Sequence, residues 1–156
     1  RLPDVACIMK ASLLRNVFLG GGARLARYIP NGKPLEMVFA SCEALRAGSQ
    51  LLIFPEGTRS VPGSKLEYKP GAAALYRQLG VACVPAAVNS GLFWARRGFA
   101  RKPGTIVLEF LEPIPPGLDR KSFMETLETR VETAAARLAG EAGGPSAIAT
   151  RAVENP

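Results

Sequence analysis

With 156 residues, 47% of them hydrophobic, the chain can make one domain with a real core, and a second domain is not expected. A formal net charge of +7 points to an anionic partner: a membrane surface, an acidic carrier protein, a phosphorylated substrate or nucleic acid. No run approaches the roughly 18 consecutive apolar residues that span a bilayer, and no signal peptide is visible, which excludes reading these residues as a membrane span or a leader.

In chain order, Val5 to Met9 reads as a first apolar strand. Ser12 to Arg27 has a helical pattern that Gly20-Gly21-Gly22 is expected to break or loosen, and Tyr28 to Pro30 forms a short strand. From Pro34, the residues Leu35, Val38, Phe39, Cys42 and Leu45 recur at helical spacing. Pro34 suits the first turn and Gly48 the stop, and this stripe is expected to pack on a sheet. Gln50 to Phe54 is a buried strand cut short by Pro55 and Gly57. A basic connection, Val61 to Lys69, comes next, with Lys65 and Lys69 extending an anion-binding surface. It leads to a short helix with Ala72, Leu75, Tyr76 and Leu79 on one side and Gly80 at its end.

Val81 to Val88 is a further strand, and Pro85 within it argues for an edge, a bulge or a strand end. Thr105 to Leu111 alternates, with Thr105, Val107 and Glu109 expected outward and Ile106, Leu108 and Phe110 inward. After the proline-rich turn Pro113 to Gly117, Asp119 caps a helix from Arg120 to Leu138 whose stripe is Phe123, Leu127, Val131 and Ala134 or Ala135. Gly140 is expected to end it, dividing a domain at 1–139 from a tail at 140–156. The alternation predicts an α/β fold, a mostly parallel (mixed) sheet flanked by helices. Cys7, Cys42 and Cys83 show no CxxC spacing and the chain has no histidine, so reduced core thiols are expected and no metal site.

Two clusters carry chemistry. The run Phe54-Pro55-Glu56-Gly57-Thr58-Arg59-Ser60 leaves the strand Leu51-Leu52-Ile53 at the kind of carboxyl end where open α/β sheets bind ligands. Gly57 lets backbone approach a ligand, Arg59 offers a planar fork for phosphate oxygens, and Thr58 and Ser60 add donors. An ordinary turn in which Glu56 and Arg59 pair with each other fits the same composition. The second cluster interleaves the rings of Phe93, Trp94 and Phe99 with Arg96, Arg97, Arg101 and Lys102. Such rings favour the headgroup boundary, and each cation near anionic lipid contributes about 1 kcal/mol, so these seven residues form a candidate membrane-contact set. A solvated loop with its aromatics tucked into the core is the structural alternative. Nucleic acid is not expected as a partner, because no RNA-binding signature or zinc finger accompanies the cluster.

The run Phe54 to Ser60 resembles the third sequence block of the glycerolipid acyltransferases, the family of the 1-acylglycerol-3-phosphate acyltransferases. Val84-Pro85-Ala86-Ala87-Val88-Asn89-Ser90-Gly91 resembles its fourth block, and Gly91 to Phe99 and Pro103 to Leu111 resemble bacterial members acting on lysophosphatidate. The similarity runs from about Val5 to about Leu138. The family's first block, a His-x4-Asp pair whose imidazole is the general base, is absent, and Val5 to Lys10 resembles the strand that succeeds it. The expectation is of a fragment whose amino-terminal portion carried the base.

The resemblance implies an O-acyltransferase of phospholipid biosynthesis that moves a fatty acyl group from acyl-CoA or acyl carrier protein to a lysophosphatidate-like acceptor, with no cofactor beyond that co-substrate. Glu56 would orient the acceptor or neighbouring groups, Gly57 keep the loop close, and Arg59 hold the phosphate. Where many relatives place a second-block arginine, this chain has Tyr28-Ile29-Pro30-Asn31-Gly32-Lys33, so Asn31 or Lys33 would substitute. Pro-Asn-Gly is also a strong turn signal. A different lysolipid, an aminolipid or another hydroxyl lipid therefore remains compatible as acceptor. The implied partners are a lysophospholipid, the thioester donor and an anionic membrane, at the cytoplasmic face, with the 156 residues alone inactive for want of the base. The contrasting reading is a non-catalytic membrane-surface module that binds lipid through Phe93 to Lys102.

Overall fold

In the computed structural model, which describes residues 4–15, 17, 20–58, 66–94 and 101–143, β1 (Val5–Met9) is the middle strand of a three-stranded sheet. Its neighbours β2 (Ile29–Pro30) and β3 (Gln50–Leu52) both run parallel to it, with Ile8 level with Ile29 and Val5 level with Gln50. Parallel neighbours need crossover connections, and helices supply them. A 3-10 turn (Ala11–Arg15) and α1 (Gly20–Leu25) join β1 to β2, and α2 (Pro34–Arg46) joins β2 to β3. After the Glu56 loop comes α3 (Gly71–Leu79). Ala6, Ile29, Met37 and Leu75 are buried together, with Ile8, Val38, Ala40, Ala44, Leu51, Ile53 and Leu79 packed on them.

These elements belong to the first of two compact units, Arg1–Thr58 with Tyr68–Val81. The second holds Arg59–Glu67 and Ala82–Pro156. In it β4 (Ala86–Val88) pairs antiparallel with β5 (Leu108–Phe110), and α4 (Arg120–Gly143) packs Ala134 and Leu138 on Ala87. Phe123 and Ile114 are buried in the same unit, and Cys83 and Ile114 exchange backbone hydrogen bonds of 2.9 and 2.7 Å.

The α/β class, the element order and the punctuation of the helices at Pro34, Gly48, Gly80 and Asp119 are as expected. Gly48 lies just past α2 at φ +86°, and Gly80 closes α3 at φ +61°, donating to the Tyr76 carbonyl. Asp119 Oδ1 accepts from the amides of Lys121 (2.8 Å) and Ser122 (3.1 Å), two donors that a helix start leaves without partners.

Five details differ. Gly20-Gly21-Gly22 opens α1 instead of breaking a helix, since first-turn residues have no intrahelical N–H bonds to lose. Helix α2 turns Met37, Ala40, Ser41 and Ala44 inward, while Leu35 and Phe39 are 69% and 63% exposed. Small residues let the helix axis approach the sheet, and Ser41 satisfies its buried hydroxyl by donating to the Met37 carbonyl at 2.7 Å. The strands β2 to β5 are shorter than expected, while β1 has its expected bounds. Asn89 occupies the backbone ahead of β5, its Oδ1 accepting from Val107 N–H (2.9 Å) and its Nδ2 donating to the Thr105 carbonyl (3.4 Å).

The facing of β5 is reversed: Ile106, Leu108 and Phe110 are each more than half exposed, while Glu109 is partly buried and ion-pairs with Arg137 of α4. Glu109 stands level with Ala87, whose small side chain lets α4 come close. Lastly, α4 continues through Gly140 to Gly143. A glycine inside a helix costs only about 1 kcal/mol, and here the Arg137–Glu141 pair (2.8 Å) spans it. The proposed tail beyond Gly143 lies outside the described residues.

Candidate functional site

Because β1, β2 and β3 are parallel, their carboxyl ends lie at one edge of the sheet, and the segments leaving those ends gather there. After β3, Gly57 N–H donates to the Phe54 carbonyl at 3.0 Å, closing a four-residue turn over Pro55 and Glu56. Gly57 has φ +66°, a left-handed conformation that costs a residue bearing Cβ. The turn is pinned from outside as well, since Lys69 N–H donates to the Pro55 carbonyl at 2.7 Å. The Lys69 stem also lies alongside Gly57, its Cγ 3.5 Å from where a Cβ would stand. Within this frame Glu56 is partly buried, and its Oε2 is inaccessible to solvent with no hydrogen-bond partner among the described residues. Thr58 is exposed, while Arg59, Ser60 and Lys65 lie outside the described residues.

The other two strand ends bring cations and an amide to the same edge. Lys10 comes directly after β1 and is exposed, with no ion-pair partner among the described residues. Continuing the strand register puts it level with Asn31 and Pro55. Motif and spacing do not single this residue out, although a lone cation directly after an apolar strand is a signal the sequence offers. Asn31 plays a structural part, in that its N–H donates to the Met9 carbonyl (2.9 Å) and its Oδ1 accepts from Ala11 N–H (3.3 Å). Lys33 is committed to Glu36 at 2.7 Å, in a solvent-exposed pair whose hydrogen bond and charge raise the lysine pKa.

The aromatic and basic cluster is a narrow antiparallel ribbon at its base. Lys102 N–H donates to the Phe93 carbonyl (2.9 Å), Trp94 bridges to Arg101, and the Arg101 guanidinium lies 3.9 Å from the Trp94 ring centroid. Trp94 is 49% exposed, whereas the Phe93 ring packs on Gly104 so closely that a Cβ there would overlap it. Arg96, Arg97 and Phe99 lie outside the described residues. No helix among the described residues is long and apolar enough to cross a membrane.

An acyltransferase family model matches residues 1–89, a span that contains β1, β2, β3, the Glu56 turn and Lys10. The chain belongs to the acyltransferase family. It is 33% identical over 105 residues to a 1-acyl-sn-glycerol-3-phosphate acyltransferase of Pseudomonas aeruginosa, an alignment covering 64% of this chain and 41% of that protein. Its fold is similar to the crystal structure of the 1-acyl-sn-glycerophosphate (LPA) acyltransferase PlsC from Thermotoga maritima, with a TM-score of 0.68 at 21% identity, over 86% of this chain and 57% of that one. The chain thus spans about half the length of these relatives or less.

Two other features of this acyltransferase chain stand apart from the carboxyl edge. A cavity of about 360 Å³ lies at the opposite, amino edge of the sheet, walled by Asp4, Arg27, Tyr28, Glu43 and Ser49 among others. Ser49 Oγ donates to Asp4 Oδ2 at 2.7 Å, so part of its polar wall is already satisfied. Cys7 and Cys83 carry thiols whose pKa burial pushes up, which suits inert core residues.

Proposed function

We propose that the chain supplies the acceptor-binding platform of an O-acyltransferase that moves a fatty acyl group from a coenzyme A or carrier-protein thioester to the hydroxyl of a lysophosphatidate-like lipid. The observation that carries the reading is the pinned turn at the carboxyl edge, with a buried Glu56 oxygen lacking a partner among the described residues and an exposed Lys10 alongside. A buried carboxylate oxygen left unpaired is costly, and a hydroxyl donor arriving with the acceptor relieves that cost. Gly57 keeps the backbone close to the incoming group, Lys10 presents a cation to its phosphate, and the family resemblance assigns Arg59, outside the described residues, to the same phosphate. The names of both relatives agree with this substrate class.

Acyl transfer by direct attack of the alcohol needs a general base, placement of both substrates and stabilisation of the oxyanion. Among the 156 residues there is no histidine, the ordinary group titrating near neutrality. The 156 residues alone therefore bind acceptor without turnover, and no cofactor enters beyond the thioester. Peripheral contact with the cytoplasmic face of a membrane is supported by the exposed Trp94 with Arg101 stacked on it. If the platform only held lipid, the same features would make it a binding module, and an assay separates the two.

In an enzyme that carries this segment together with a His-x4-Asp block, Arg59→Ala raises the apparent KM for lysophosphatidate about tenfold or more, as loss of a charge-assisted contact of about 1.5 to 3 kcal/mol requires. An unchanged KM removes Arg59 from the acceptor site. Absence of any acyl transfer in that enzyme, from both thioester donors and to any lysolipid, leaves only the binding module.

A further inference from the structure

The segments that lead into the parallel strands meet around the amino-edge cavity of about 360 Å³, which the acceptor platform does not use. Much of its wall is apolar, with Val5, Ala6, Ile29 and Ala44 among the residues that line it. Beside them stand Asp4 ahead of β1, Arg27 ahead of β2, and Glu43 in the last turn of α2. A mostly apolar cavity with a few polar groups is the usual form of a small-molecule site. Arg27 and Glu43 are exposed, and neither belongs to an ion pair among the described residues. Asp4 accepts from Ser49 Oγ through Oδ2, which leaves its Oδ1 for another donor.

The backbone adds an independent observation. Helices α1 and α2 hand over to their strands through the same pair of hydrogen bonds. After α2, Ser49 N–H donates to the Ala44 carbonyl at 2.9 Å and Gly48 N–H to that of Leu45 at 3.0 Å, with Gly48 left-handed at φ +86°. After α1, Tyr28 N–H donates to the Ala23 carbonyl at 3.0 Å and Arg27 N–H to that of Arg24 at 3.1 Å. Here the left-handed residue is Arg27, at φ +53°. Glycine is the usual occupant of this position, because the conformation penalises a Cβ. Asp4 is left-handed too, at φ +37°, and no other residue besides glycine has a positive φ among the described residues. Both strained residues wall the same cavity, so something beyond the fold retains their side chains there.

The charges select the ligand. Two carboxylates against one guanidinium disfavour a simple anion, and the carboxyl end of α2, which reaches the cavity at Ala47, favours a cation as well. Arg27 in turn calls for an anionic group on the same molecule. Val5, Ala6, Ile29 and Ala44 call for an apolar body beside both charges. We propose that the amino-edge cavity binds a small zwitterion with an aliphatic body, the chemistry of an apolar α-amino acid. Arg27 pairs with its carboxylate, Asp4 and Glu43 flank its ammonium group, and its hydrocarbon lies against the apolar wall. The site goes beyond the proposed function and its occupation needs no acyl transfer.

Titration of the isotope-labelled 156-residue chain with L-leucine, followed by amide NMR, tests this. Leucine is expected to give saturable shifts of the Tyr28, Glu43 and Ser49 amide signals. Isopentylamine, which lacks the carboxylate, and isocaproate, which lacks the ammonium group, each bind at least about tenfold more weakly. Glycine, without the hydrocarbon, also binds at least about tenfold more weakly. Phosphoethanolamine carries an ammonium and an anion without the aliphatic body, so it separates a lipid headgroup from an amino acid, and it is expected to bind more weakly than leucine.

Arg27→Gly separates recognition from folding. Removing the strained Cβ raises the urea midpoint, while losing the guanidinium lowers leucine affinity about tenfold and leaves that of isopentylamine unchanged. Glu43→Gln weakens leucine and isopentylamine alike. A lower urea midpoint for Arg27→Gly means that the arginine serves the fold, and overturns the proposal. Absence of saturable shifts with leucine does so too, as does equal affinity for leucine, isopentylamine and isocaproate. Binding of phosphoethanolamine as tight as that of leucine overturns the amino-acid assignment. The Arg59→Ala kinetics concern the acceptor platform and are untouched by these outcomes, so the two readings fail separately.

Discussion

Gly57 and Gly104 are required for different physical reasons. Gly57 has a left-handed backbone but room for a methyl group, the nearest atom being Lys69 Cγ at 3.5 Å. Gly57→Ala is therefore expected to cost about 1 to 2 kcal/mol of backbone strain, read as a fall in the urea midpoint. At Gly104 the obstacle is the Phe93 ring, which an added methyl group would displace, so Gly104→Ala costs more and also alters the emission of neighbouring Trp94. Asp119 supplies a pH-dependent case. Hydrogen bonds, first from the Ser122 hydroxyl and then from amides of Ser122 and Lys121, hold its pKa below the ordinary 3.8. A depressed carboxylate stabilises the fold above its unfolded pKa and loses that contribution as pH falls through the folded value. Asp119→Ala should thus lower the urea midpoint at neutral pH, with the gap to the unaltered chain closing below pH 3.8. This cap was legible because Asp before a periodic apolar stripe has a local cause. Lys10 was not, since its significance depends on two other strands ending beside it.

At the scale of elements, helix boundaries were easier to read than helix faces. Pro34, Gly48, Gly80 and Asp119 act through their own backbone chemistry, which a sequence displays directly. The face of α2 instead depends on how near the helix lies to the sheet. Its largest apolar residues, Leu35 and Phe39, suggested one side, whereas Ala40, Ser41 and Ala44 permit the closer approach on the other. Met37→Ala should consequently cost about 2 to 5 kcal/mol, and Leu35→Ala no more than about 0.5 kcal/mol, in matched denaturant titrations. Equal costs would reverse the assignment of the buried face. Strand length was hidden for a similar reason. Asn89 competes with the ladder for the backbone of Thr105 and Val107, and a side chain reaching 16 or 18 residues along the chain leaves no local mark. The alternation in Thr105 to Leu111 did not give the buried side, since Glu109 alone of Thr105, Val107 and Glu109 is partly buried, where it pairs with Arg137 on α4.

For the whole molecule, the alternation of strands and helices was enough to anticipate parallel pairing around β1, and parallel pairing fixes which edge receives a ligand. The amino-edge cavity, by contrast, could not be foreseen, because Asp4, Arg27, Glu43 and Ser49 come from four separate segments. Charge was legible only as a sum. The bond from Lys69 N–H to the Pro55 carbonyl has a different bearing. It fastens both feet of an arch, so the acid and the glycine at one foot keep their place whatever the span between them. Closing an arch of twice as many residues costs only about 0.6 kcal/mol more. Descendants of this gene can thus lengthen or trim that span without unseating the carboxylate.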